Sequence, residues 1–96
     1  MHASVRRYRV RDIDALVSKV EEEFVEQIKE IDGFVGYYLI DGGDGTAATV
    51  TVGENATAVA DSVRLAASWV RQSAADIVDG EPDVTVGEVR VRAESD

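Results

Sequence analysis

Three tyrosines and three arginines are the side chains of this chain with chemistry to offer a small molecule. Tyr8, Tyr37 and Tyr38 can donate a hydrogen bond to a phenolate or keto oxygen; Arg7, Arg9 and Arg90 can stabilise an enolate or hold a carboxylate. Tyr37 and Tyr38 are adjacent, so on a strand they face opposite sides. Each also has a plainer reading, the tyrosines as aromatics supporting a sheet and the arginines as partners of the abundant acids. Other chemistries lack their residues. There is no cysteine, hence no thiolate nucleophile, disulfide or Cys-based metal site. The sole histidine, His2, sits at what reads as a mobile terminus with no Ser/His/acid set around it. Carboxylate clusters without His or Cys are surface features, so no metal is expected.

The elements that must position these groups are organised around Ile31–Val52. Asp32-Gly33 stops a helix, Phe34–Ile40 is apolar on both faces, Asp41–Gly45 is a Gly/Asp turn, and Ala47–Val52 is a second strand with Val50 and Val52 alternating against Thr49 and Thr51. The turn has neither calcium-loop spacing nor a phosphate-loop lysine, so turn chemistry explains it.

Ahead of this hairpin, Ser4–Val10 reads as a strand with Arg6, Tyr8 and Val10 on one face and Val5, Arg7 and Arg9 on the other. Asp12 caps a helix whose stripe is Ile13, Val17, Val20, Phe24, Ile28 and Ile31; its glutamates lie mostly off the stripe. After the hairpin, Asn55 caps a second helix with a stripe of Val59, Val63, Ala66, Val70, Ala74 and Ile77. Leu65 and Trp69 fall on a different side of that helix, a second apolar face that something must cover. Asp79–Asp83 reads as a break, Val84–Arg92 as the last strand, and Ala93–Asp96 as a polar tail.

Ninety-six residues allow one domain, 1–96 with its core at about 4–92, near the size at which a lone core is marginal. The longest apolar run is far short of a membrane span and the N-terminus lacks a signal peptide's apolar region, so a cytoplasmic protein without a membrane partner is expected. Nineteen acids against ten basic residues give a net charge of −9, a field that repels phosphate backbones and argues against nucleic acid. Only Lys19 and Lys29 are lysines. Acidic surface, scarce lysine and few large aromatics together point to a halophilic protein, because concentrated salt screens the self-repulsion.

The order β-α-β-β-α-β is the ferredoxin-like split βαβ arrangement, an α+β fold with both helices on one face of a four-stranded antiparallel sheet. The opposite face, with the apolar side of Phe34–Ile40 and the Arg-bearing side of strand one, then needs a partner. Two such sheets face to face satisfy it, so a homodimer is expected.

This element order, with IDGFVGYYLI leading into GDGTAATVTV and RLAASWVRQSAADI on the second helix, resembles the antibiotic-biosynthesis-monooxygenase-like group of dimeric α+β barrel proteins, over nearly all of Ser4–Arg92. The resemblance implies a small aromatic ligand and, for the cofactor-independent branch, no cofactor. It also marks Trp69, because such monooxygenases place a Trp on this helix beside the substrate pocket; the plainer reading of Trp69 is a packing residue. The polyketide enzymes carry an Asn one turn before that Trp, where this chain has Leu65. The haem-degrading branch needs a strand-one Asn and a helix His, and this chain has neither, so haem degradation is not expected. The chain reads either as a cofactor-free oxygenase of phenolic small molecules or as a non-catalytic dimeric ligand-binding or stress-response module on the same scaffold.

Overall fold

The computed structural model describes residues 1–95; Asp96, the end of the expected polar tail, lies outside the described residues. Strand β1 (His2–Val10) leads into helix α1, which runs as Ile13–Lys19, a π-helical turn Val20–Phe24, and Val25–Lys29. Strands β2 (Phe34–Asp41) and β3 (Thr46–Gly53) form the hairpin, followed by helix α2 (Ala56–Ser73) and strand β4 (Val78–Glu88). All pairings are antiparallel in the order β2-β3-β1-β4, the ferredoxin-like α+β arrangement expected from the sequence.

Local signals set the element ends. Asp12 accepts from the Ala15 N–H at 3.1 Å, and Asn55 from the Ala58 N–H at 2.9 Å, each satisfying a donor the helix leaves free. Gly33 ends α1 with φ +87, a region costly for any residue bearing a Cβ. At Gly53 a Cβ would fall 2.9 Å from that of Ala58, so glycine there lets α2 start tight against β3.

Within α1 the buried residues are Leu16, Val20, Phe24 and Ile28, every one a step of four. In a regular α-helix such steps drift by roughly 40° each, and the stripe would wind off the sheet. The π turn at Val20–Phe24 rotates less per residue and holds the row in line. Leu16 is thus the buried residue of the first turns, not the expected Ile13 and Val17, which are only half-buried.

The buried stripe of α2 likewise differs from expectation. It is Ala58, Val59, Ser62, Ala66 and Trp69, while Val63 and Val70 are half-buried. Trp69 therefore belongs to the core face, not to a second apolar face, and Leu65 packs at that core's margin. Hydrophobicity favours Val63, but the buried residue is Ser62, whose backbone carbonyl accepts from Arg6 of the sheet.

Both ends of the sheet depart from the sequence reading. Strand β1 begins at His2, two residues early, so His2 lies in the sheet. Strand β4 starts at Val78 and ends at Glu88, whereas Val84–Arg92 was expected, with Asp79–Asp83 as a break. Gly80 at φ +78 and a register shift opposite Arg7 to Arg9 absorb the irregularity, and β4 is an edge strand, where Pro82 is tolerated. A second shift, between Phe34 and Gly36, lets both Phe34 and Tyr37 pack toward the helices.

Candidate functional site

The helix-facing side of the sheet departs from a simple hydrophobic-in pattern at its centre. Facing the helices are Ser4, Arg6, Tyr8 and Val10 of β1, opposite Thr51, Thr49 and Ala47 of β3. Facing away are Val5 of β1, Ala48, Val50 and Val52 of β3, and Tyr38 and Ile40 of β2. A polar group of Ser4, Arg6, Thr49 and Thr51 is thus buried within an otherwise apolar core, while an apolar patch bordered by Arg7 and Arg9 stays open outside.

Arg6 is the centre of that interior. It is 3% exposed, yet among the described residues the ion pairs are made by Arg11, Lys19, Arg64 and Arg92, and none by Arg6. Its Nε donates to Thr49 Oγ1 at 3.3 Å and its Nη1 to the Ser62 carbonyl at 3.4 Å, both long, and Nη2 has no partner among the described residues. A buried charge without a counter-ion carries an uncompensated desolvation cost.

Two phenols adjoin it. Burial pushes the Tyr37 hydroxyl up to about 12, against the opposing pull of Arg6 and with a smaller push from Tyr8. The Tyr8 hydroxyl is raised as well, by burial first, with Arg6 again opposing. Both are protonated at neutral pH. They are donors, not bases.

Trp69, 6% exposed, closes the other side: its ring lies 5.4 Å from that of Phe24, tilted 49°, and Phe24 lies 5.3 Å from Tyr37. The Trp69 indole N–H donates to Glu23 Oε1 at 3.3 Å, tying α2 to the π turn of α1. Arg6, Tyr8, Tyr37 and Trp69 together line a cavity of about 20 Å³, room for roughly one water. On the helix side of the sheet it is flanked by two open recesses. A cleft of about 330 Å³ between α2 and β4 shares Arg6, Tyr8 and Val70 with it, and a groove of about 220 Å³ between α1 and β2 shares Val20, Tyr37 and Leu39.

Of the residues singled out in the sequence, Trp69, Tyr8 and Tyr37 therefore converge. Leu65 packs at the core edge and is not among the cavity's walls. Tyr38 is 61% exposed on the outer face. Arg7 and Arg9 are also outside, in a recess with Asp79, Glu81 and Asp83, and Arg90 is exposed beyond the end of β4. None of these three arginines makes an ion pair among the described residues, so the plainer reading of them as paired to acids is also not met. His2 is half-buried in β1, with its Nδ1 buried and unpartnered, and is not a mobile terminus.

Arg6, Ser62, Thr49 and Glu23 were not singled out. Arg6 left a trace, since alternation sets it on the strand face of Tyr8 and Val10. Ser62, Thr49 and Glu23 left none, because only the packing of separate elements brings them to the site. No group of His, Cys, Asp or Glu able to hold a metal occurs among the described residues.

No protein-family model matches this sequence, and no curated protein does. Solved structures do match. A monooxygenase from the gene ActVA-Orf6 of Streptomyces coelicolor, in complex with the ligand nanaomycin D, is similar with a TM-score of 0.77 at 17% identity, over 99% of this chain and 92% of that one. A protein of unknown function, NE2512 of Nitrosomonas europaea, gives 0.77 at 12% over 99% and 94%. A variant of SnoaB, a cofactor-independent oxygenase from Streptomyces nogalater, gives 0.73 at 14% over 98% and 97%. At these identities the likeness is one of fold: the chain shares the ferredoxin-like α+β fold of these structures.

Proposed function

We propose that this chain is a cytoplasmic homodimer that binds a small phenolic or enolic aromatic compound as its anion beside Arg6, and oxygenates it without a cofactor. The carrying observation is the buried, unpaired Arg6 guanidinium flanked by two protonated phenols. Such a group stabilises negative charge on a ligand oxygen, and the low-dielectric setting strengthens the effect. Tyr8, which like Arg6 also borders the open cleft between α2 and β4, donates to the same oxygen. Tyr37, Trp69 and Phe24 line the small cavity behind it and keep bulk water from the charge. An electron-rich anion so held adds dioxygen at a ring CH or CH2 carbon to give a hydroperoxide, which loses water and leaves a carbonyl. The substrate supplies both hydrogens of that water and all the electrons, and ends as a quinone. The support from other proteins is that the fold is shared with a cofactor-independent oxygenase and with a monooxygenase bound to nanaomycin D.

Dimerisation rests on the uncovered outer face. Val35, Tyr38 and Ile40 are exposed there, beside Val50 and Val52, and a second copy across a twofold axis covers the same residues with themselves.

Oxygen uptake with a panel of phenols and anthrones tests the activity. Uptake that falls at least tenfold in Arg6→Met supports the reading; uptake unchanged in that variant removes Arg6 from it. The second reading, a binding module without catalysis, is favoured by apolar Leu65 where the resembled polyketide enzymes carry an Asn, and by the absence of a base in the cavity lining. Ligand binding without oxygen uptake across the panel decides for it.

A further inference from the structure

The cavity behind Trp69 holds about one water, too little for any aromatic ring, so the volume that receives a ligand must lie elsewhere. Three recesses share residues with its walls. The one of about 390 Å³ on the outer face meets it only at Tyr8 and sets three carboxylates, Asp79, Glu81 and Asp83, against Arg7 and Arg9, which disfavours an anion. The groove between α1 and β2 is bounded by Val17, Val20, Val25, Tyr37 and Leu39, with Glu21 as its only charged side chain. The cleft between α2 and β4 has Arg6 and Tyr8 among its walls, Val63 and Val70 on the helix side, and Pro82 and Val84 on the strand side. Arg71 and Glu81, both exposed, are its other charged residues. At about 330 Å³ it falls in the range of small-molecule sites.

Resting on the reading of Arg6 as an anion site, we infer that the cleft between α2 and β4 is the binding volume, and that it selects monoanionic aromatic ligands entering anion first. The charge lies toward Arg6, whose Nη2 has no protein partner among the described residues. The ring then lies between Val63 and Val70 on one side and Pro82 and Val84 on the other. Val84 is 46% exposed although it pairs with Arg6 and faces the helices, because α2 does not reach over the edge strand. That gap is the opening. The groove on the far side offers no cation, and Glu21 repels an incoming anion. A ligand seated in the cleft meets the outer sheet face nowhere, so it does not compete with a second copy there.

Isothermal titration with 2-naphthoate and its neutral isostere 2-naphthamide provides the test. The parent chain binds naphthoate at least tenfold more tightly than naphthamide. Ala67→Trp fills the cleft mouth from an exposed helix position and weakens both ligands at least tenfold, while Val17→Trp in the opposite groove changes neither by more than twofold. Arg6→Met loses the preference for the anion but keeps naphthamide binding. Circular dichroism and thermal midpoints establish that each variant is folded. Naphthoate binding that survives Ala67→Trp but is lost in Val17→Trp overturns the cleft and leaves Arg6 as the anion site. A preference for the anion that persists in Arg6→Met overturns the reading on which the cleft proposal rests. No saturable naphthoate binding at millimolar concentration overturns the cleft as a site for aromatic anions.

Discussion

The indole of Trp69 on α2 is held by Glu23, which stands in the π-helical turn of α1, through an N–H to Oε1 hydrogen bond of 3.3 Å. The turn that keeps the buried row of α1 in line thus also fixes the aromatic wall of the cavity. Glu23→Ala is expected to destabilise the fold by about 1 kcal/mol, less than is usual for a bond to a charged acceptor because this one is long and its carboxylate partly exposed. Urea unfolding gives the value, and fluorescence of Trp69, the only tryptophan, should shift to the red. Unchanged stability and emission would show that the bond does not hold the ring.

Removing the unpaired charge should have the opposite effect on stability. Arg6→Met replaces a buried guanidinium by an apolar chain that fits the same path, and a gain of about 1 kcal/mol or more is expected. The preference for aromatic anions over their neutral isosteres is lost in the same variant. Loss of stability would mean that the bonds to Thr49 and Ser62 outweigh the desolvation of the charge.

Alkaline unfolding should report on Tyr37. Its folded hydroxyl is raised from the ordinary 10.0 to about 12, so the unfolded chain releases this proton first. The contribution is fully present below pH 10 and is lost as pH rises toward 12, on the order of 2 kcal/mol in all. Chemical denaturation at these two ends, with Tyr37→Phe as the control, measures it. A loss in the variant equal to that of the parent would place the effect on other groups.

The open sheet face predicts the assembly. Sedimentation equilibrium at tens of micromolar should find twice the 10.4 kDa chain mass, and Tyr38→Asp should shift it to the monomer, because the twofold axis brings two added charges close together. A parent chain that runs as 10.4 kDa would exclude the dimer.

Salt should stabilise the chain. With a net charge of −9, the thermal midpoint is expected to rise between about 0.1 M and 3 M KCl, beyond the range where Debye screening is complete. A charge-reduced variant separates this from general salt exclusion. A flat profile would count against the halophilic reading.

The sequence by itself determined the element order and most element ends, because these depend on neighbours in the chain. Asp12 and Asn55 sit where a side-chain oxygen reaches a free N–H three residues on, and Gly33 sits where φ must be positive. Alternation also separated the two faces of β1 and β3. It could not say which face turns inward, since a period of two is symmetric under that exchange. Only the tertiary structure decided that Arg6, Thr49 and Thr51 face the helices while Val5, Val50 and Val52 face out. The same holds for the start of β4, where Asp79–Asp83 carries every local sign of a break and becomes strand because β1 supplies the ladder. Tyr8, Tyr37 and Trp69 could be named as candidates from their types and from the resemblance, but a buried cation with no counter-ion is a property of contacts among β1, β3 and α2. Such contacts arise only when residues more than forty positions apart are packed together.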